Sequence, residues 1–186
     1  MIKFIYITAI LIAINGCSTH LQAIAPDKVT HRFETSEKID RVIVNEKVDF
    51  NKYNKLLVIY SSSNDHFLNN FLVDSFKNMG LFNKVIPMEE LISSFGYNEP
   101  GNEFKIESFV KQLDDRFADY DFLLLGYDVR KPPGFFYEGN LKVYNAKSSE
   151  LLLHIYHRTF AWNGLDKPMH YPLFNGFIDW AEQGKQ

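Results

Sequence analysis

Two uninterrupted apolar runs of strand length, Leu56-Leu57-Val58-Ile59-Tyr60 and Phe122-Leu123-Leu124-Leu125, constrain the fold of this chain more than any other feature. A strand with no polar alternation has no face to give to water, so each run calls for a strand covered on both sides by helices or loops. Between the two runs, Asn64 or Asp65 can cap a helix whose Phe67, Leu68, Phe71, Leu72, Phe76 and Met79 fall on one stripe, and Gly80 ends it. Val85-Ile86-Pro87 reads as a short strand, and Glu89 to Phe95 as a weak helical stretch. Ile106, Phe109, Val110, Leu113 and Phe117 recur at three and four residues, the spacing of a second amphipathic helix.

After Tyr127 the period becomes two. Leu141 and Val143 alternate with Lys142 and Tyr144, a turn takes Asn145 to Ser149, and Leu151 to Trp162 continues as a long strand. On that strand Leu152, His154, Tyr156, Arg158, Phe160 and Trp162 share one face, and Leu151, Leu153, Ile155 and His157 the other. A last helix begins near Pro172, with Leu173, Phe174, Phe177, Trp180 and Ala181 on its apolar side. The order β-α-β-α-β-β-β-α predicts an α/β (α+β) domain with a single mixed sheet and helices mainly on one face, with Val42 to Val48 as an additional N-terminal strand.

The N-terminus states an address. Lys3 precedes the uncharged apolar block Phe4 to Ile14, which as a helix would rise about 17 Å, too little for a bilayer core of roughly 30 Å. A charged head, a short apolar segment and then small residues form the pattern of a secretory signal peptide. The block ends at Ile14-Asn15-Gly16-Cys17, and Cys17 is the single cysteine of the chain. This string resembles the lipobox of bacterial lipoproteins, with Asn15 where Ala or Ser is more usual. The resemblance implies lipid attachment at Cys17: a diacylglyceryl thioether (labelled in practice by palmitate), removal of residues 1–16 and acylation of the new amine. Ser18, where the family's inner-membrane members carry Asp, implies the outer membrane with the domain facing the periplasm. A sole cysteine forms no intramolecular disulfide, and an exported free thiol would be reactive, so its consumption as a thioether fits its chemistry.

Removal of residues 1–16 takes away Lys3 and moves the formal charge from −3 to −4, with no basic block anywhere, which argues against nucleic acid as a partner. About 170 residues remain, enough for one domain with a sizeable core. The expected division is a signal peptide at 1–16, a lipidated tether at 17–28 and one globular domain at 29–186. Ser18 to Asp27 shows no apolar periodicity and, fully extended, would span at most about 35 Å.

The order of elements, with "NMGLFNKV" ending a helix, "ADYDFLLLG" entering a strand and "LKVYNAKSSELL" forming a hairpin, is similar to that of small periplasmic α/β lipoproteins. These include the curli secretion lipoprotein, the lipoprotein activators of peptidoglycan synthases and the amino-terminal domain of the Tol-system propeller protein. Ser148-Ser149 stands where such hairpins more often carry Thr-Gly, leaving the turn type open. The resemblance implies a docking or assembly role in the cell envelope without catalysis, membrane attachment through the N-terminal lipid, and an envelope protein as partner. It fixes no oligomeric state and implies no cofactor.

Other chemistries are weaker. Ser61, Ser62 and Ser63 lie between a strand and a helix start, where an anion or a nucleophile could sit, so a hydrolase or anion-binding site in the Ser61 to Asn64 loop is the rival class. No G-x-S-x-G elbow surrounds them, and serines there also cap helices. His154 and His157, three apart on a strand, point to opposite faces and make a poor metal pair. Asp114, Asp115, Asp119 and Asp121 read as a solvated helix end without Ca-loop spacing. No metal ligand set and no catalytic residue is therefore assigned. The best candidate is a surface: Phe135, Phe136 and Tyr137 follow Pro132-Pro133-Gly134, and Tyr156 and Arg158 share the open face of the sheet nearby. Aromatic and arginine side chains dominate the energetics of protein interfaces. An immunity-type lipoprotein that neutralises a toxin would use the same kind of surface.

Overall fold

A computed structural model describes residues 21–61, 66–94, 121–160 and 166–185. The strands β1 (Arg41–Asn45), β2 (Leu56–Ser61), β3 (Lys84–Pro87), β4 (Leu123–Arg130), β5 (Phe136–Asn145) and β6 (Leu151–Phe160) form one sheet in the order β1-β6-β5-β4-β2-β3. β2 is parallel to both β3 and β4, whereas the β4-β5, β5-β6 and β1-β6 pairs are antiparallel. With the helices α1 (His66–Asn78), α2 (Met88–Ser94) and α3 (Tyr171–Gln183), this is the mixed α+β sheet that the sequence predicts. The expected helix from Ile106 to Phe117, the caps Asn64 and Asp65, Asp114, Asp115 and Asp119, Trp162, and everything before Leu21, Cys17 included, lie outside the described residues.

Both apolar runs are buried on two sides. Leu57, Ile59, Leu123 and Leu125 point into the larger core with α1 and α3, while Val58 and Leu124 point into a second cluster capped by Met88, Leu91 and Ile92 of α2. Period-two alternation thus feeds two cores from one strand. Phe174 of α3 is the centre of the larger one, with ring centroids of Phe33, Phe71 and Phe76 at 5.4, 5.9 and 5.3 Å. Such tilted and edge-on arrangements are the favoured geometries of aromatic packing.

α1 ends at Gly80, which adopts φ 67° as a helix-terminating glycine. Its buried stripe is Leu68, Phe71, Leu72 and Phe76, with Val73 and Ser75 beside it. Phe67, expected on that stripe, is instead 73% exposed. It sits in the first turn, and helical side chains lean toward the N-terminus, away from the turns that meet the sheet.

The β5-β6 hairpin departs from simple alternation. Tyr144 pairs with Leu151 but Val143 pairs with Leu153, so Leu152 is an extra residue in β6. This bulge turns Leu151 toward the second cluster and Leu152 toward the larger core, the reverse of their expected faces. The turn left open by Ser148-Ser149 is an Asx type. Asn145 Oδ1 accepts from the N–H groups of Lys147 and Ser148 at 2.9 and 3.2 Å, and Ser149 takes the left-handed conformation at φ 60°.

The segment before β1 differs most from expectation. Residues from Leu21 onward, partly assigned to a tether, form a strap over the helix layer, with Leu21 and Ala23 packed against the larger core. The strap turns at Asp27, whose Oδ1 accepts from Val29 and Thr30 N–H at 3.0 and 2.7 Å. Arg32 then forks onto Asp179 and Glu182 of α3 at 2.6 and 2.7 Å. Hydrogen bonding to Glu182 raises the Arg32 pKa, and the same bond lowers that of Glu182. Asn175 clasps the Phe33 backbone, accepting from its N–H at 2.8 Å and donating to its carbonyl at 2.9 Å. β1 follows at Arg41–Asn45, starting one residue before the strand expected at Val42 to Val48 and ending three residues before its end.

Gly139 of β5 lies under the start of α3. A Cβ there would stand 2.8 Å from Met169 Sδ and 2.9 Å from Leu173 Cδ1. Despite the better strand propensity of valine, Gly139→Val is expected to lower stability by about 1–3 kcal/mol through overpacking, read as a lower urea midpoint with unchanged far-UV circular dichroism.

Candidate functional site

The β4-β5-β6 meander places odd-numbered residues of β5 toward α3 and even-numbered residues on the opposite face. The register sets Phe136 against Phe160, Glu138 against Arg158, Asn140 against Tyr156 and Lys142 against His154. Of the residues expected to bind a partner, Phe135 is 63% and Phe136 36% exposed, and the Arg158 guanidinium lies 3.9 Å from the Phe136 ring centroid. A guanidinium stacked at that distance holds the ring outward in a fixed orientation. Tyr137 is separated from this group by strand alternation. It faces the helix side, half-buried against the larger core, with Lys131 5.5 Å from its ring.

Phe160 stands where Tyr137 was expected. It is 39% exposed, 5.4 Å from Phe136 edge-on and 6.1 Å from Phe135. The sequence carried a signal for it, since Phe160 is two residues after Arg158 and so shares its face, but its pairing with Phe136 is a matter of register alone. Arg41 is a second addition, with its guanidinium 4.9 Å from the Tyr156 ring across the β1-β6 pair. Nothing in the sequence near Arg41 announces that contact.

Beside the aromatic group runs a polar row. Glu138 accepts from Arg130 Nη2 at 3.2 Å and from the Tyr156 hydroxyl. Burial first, then the charge of Glu138, raises the Tyr156 pKa, so this tyrosine stays a neutral donor. His154 Nε2 is 3.1 Å from Asn140 Oδ1. On this face Arg41, Arg130, Lys142 and Arg158 outnumber Asp128 and Glu138, on a chain whose formal charge is −3.

His157 faces the other way. It is buried, with Nδ1 2.9 Å from Asp40 Oδ2 and Nε2 2.7 Å from the Pro168 carbonyl. Asp40 Oδ2 also accepts from the Arg158 N–H at 2.7 Å, so this histidine and its strand fasten the end of the strap to the sheet. His154 and His157 thus point to opposite faces, and no group of three or more His, Cys, Asp and Glu able to hold an ion occurs among the described residues. Ser61 is the last residue of β2, while Ser62, Ser63 and Asn64 lie outside the described residues.

One buried polar pair has no surface access. Tyr127 Oη and His170 Nδ1 share a hydrogen bond of 2.6 Å inside the larger core, and His170 Nε2 has no hydrogen-bond partner among the described residues. Burial lowers the His170 pKa to about 3, and burial with the charge of Asp128 raises that of Tyr127 well above its ordinary value.

No family model matches the sequence, and no curated protein does. Among solved structures, the chain is similar to the PelC dodecamer from Paraburkholderia phytofirmans, at 9% identity over 78% of this chain and 97% of that one, with a TM-score of 0.43. It is also similar to lipoprotein GNA1162 from Neisseria meningitidis, at 10% identity over 68% of this chain and 94% of that one, with a TM-score of 0.37. No helix among the described residues is long and apolar enough to cross a membrane.

The lowered His170 pKa gives acid sensitivity of known sign. Below about pH 6.5 the unfolded chain binds a proton at this position that the folded chain refuses until about pH 3, so stability falls as pH falls through that window. The slope from this group approaches ~1.4 kcal/mol per pH unit. Urea unfolding from pH 7 to pH 4 is expected to show a shallower loss in His170→Gln, which cannot titrate, than in the parent. Parallel curves would assign the acid sensitivity to other groups.

Proposed function

We propose that the protein is a lipid-anchored accessory protein of the bacterial envelope, held through Cys17 in the outer membrane and facing the periplasm. It binds another envelope protein through the exposed aromatic and arginine end of the β5 and β6 face and catalyses nothing. The observation that supports this reading is the group of Phe135, Phe136 and Phe160, ordered by the Arg158 guanidinium and left in solvent. Large apolar side chains clustered on a folded surface cost solvation that a partner recovers on docking, and a few aromatic and arginine anchors carry most of the energy at such contacts. The excess of cations on this face favours a partner surface that is acidic and carries an apolar recess.

Two variants separate the anchor from the surface. Cys17→Ser is expected to abolish palmitate incorporation and release the protein from the membrane fraction. Joint replacement of Phe135, Phe136 and Phe160 by Ser should leave labelling, export and thermal stability near those of the parent. Each lost anchor should cost about 1–2 kcal/mol of binding, so the co-purifying envelope protein and complementation of a deletion strain should both disappear. Full complementation by the folded triple variant would refute the binding-face reading, and unchanged labelling of Cys17→Ser would refute the anchor.

A further inference from the structure

The strap fixes how far the domain can stand from a lipid at Cys17, and on which side. Leu21, Gln22 and Ala23 form one wall of a groove whose other wall is the outer side of α1, with Phe67, Asn70, Asp74 and Lys77. Leu21 and Ala23 also pack against the larger core, so this part of the chain is a piece of the domain. Only four residue steps separate Leu21 from Cys17, a reach of at most about 14 Å even when fully extended. The headgroup region on each side of a bilayer core is several ångströms deep, so a thioether at Cys17 holds this groove at the headgroup boundary.

The exposed apolar side chains of the helix side agree with that placement. Phe67 is 73% exposed and Ile24 on the strap is 39% exposed. Apolar and aromatic side chains suit the boundary between headgroups and acyl chains, where the ring is desolvated, and the groove's charged residues, Asp74 and Lys77, pair with each other at 3.6 Å and so bring no net charge to that boundary.

We propose that the outer side of α1, together with strap residues Leu21 to Ile24, rests on the bilayer with Phe67 in the interface. The aromatic and arginine face of β5 and β6, on the opposite side of the sheet from α1, is then turned into the periplasm. This orientation rests on lipidation of Cys17, and the occupant of the α1 groove is the lipid surface itself.

The test uses the full lipidated protein in liposomes of phosphatidylethanolamine and phosphatidylglycerol. Because the Cys17 thiol is consumed, Asn70→Cys and Lys147→Cys each carry one free thiol for a nitroxide label. Residue 70 lies in the groove and residue 147 in the β5-β6 turn. Relaxation by oxygen, which concentrates in lipid, and by a water-soluble nickel chelate gives depth. The label at 70 is expected to be several-fold more accessible to oxygen than to nickel, and the label at 147 the reverse. Adding Phe67→Ser to Asn70→Cys should move the groove label several-fold toward nickel. Palmitate incorporation is measured on the same samples. Without palmitate, the anchor reading fails and the orientation with it. With palmitate present, a groove label as open to nickel as that at 147 overturns the orientation alone. A groove label shielded from both reagents shows protein on this face instead of lipid and overturns it as well.

Discussion

The parallel pairing of β2 with β4 is the contact from which the rest of the architecture follows. Their registered residues, Leu57 with Leu123, Val58 with Leu124 and Ile59 with Leu125, alternate between two apolar faces, and neither face can be left to water. One face is covered by α1 and α3, the other by α2 and its cluster. A parallel pair also needs a long crossover, which is why α1, β3 and α2 lie between these strands in the chain. Beyond β4 the chain continues as an antiparallel meander, whose strands need burial on one face only. Near the hairpin turn Tyr144 and Leu151 still reach the second cluster, but toward Phe136 and Phe160 no described helix covers that face of β5 and β6, as expected where the two-sided requirement ends.

The strap serves the same core from outside. Phe33 sits on Tyr171 and Phe174 with centroids at 5.0 and 5.4 Å, and the fork of Arg32 and the clasp of Asn175 keep it there. The exposed ion pairs contribute little by themselves, while the buried ring and the satisfied backbone groups contribute more. Asp40 closes the strap by accepting from the Arg158 backbone and facing His157, so the segment nearest the N-terminus and the strand carrying the candidate surface belong to one hydrogen-bonded unit.

Much of this was readable from side-chain pattern. The two apolar runs, the stripes of α1 and α3, Gly80 as a terminator and the hairpin after Tyr127 follow from periods of 2 and 3.6 and from the backbone freedom of glycine, all of which are local. The surface residues Phe135, Phe136 and Arg158 were legible because prolines, aromatics and arginine cluster there. The strap carries no such local signal: Leu21, Ala23 and Phe33 have no periodicity, and their burial comes from α1 and α3, which lie far away in the chain.

The sequence by itself determined that β2 and β4 must be buried on both sides, that a hairpin follows, and which strand faces are apolar. Only the tertiary structure decided which residues meet. The extra residue at Leu152 moved Leu151 and Leu152 between cores, strand register joined Phe136 to Phe160 and separated Tyr137 from both, and the β1-β6 pairing brought Arg41 over Tyr156. The physical reason is that periodicity is set by the backbone dihedrals of a few neighbouring residues. Register and layer contact depend instead on hydrogen bonds and packing between segments far apart in the chain, and a shift of one residue exchanges the faces of a strand.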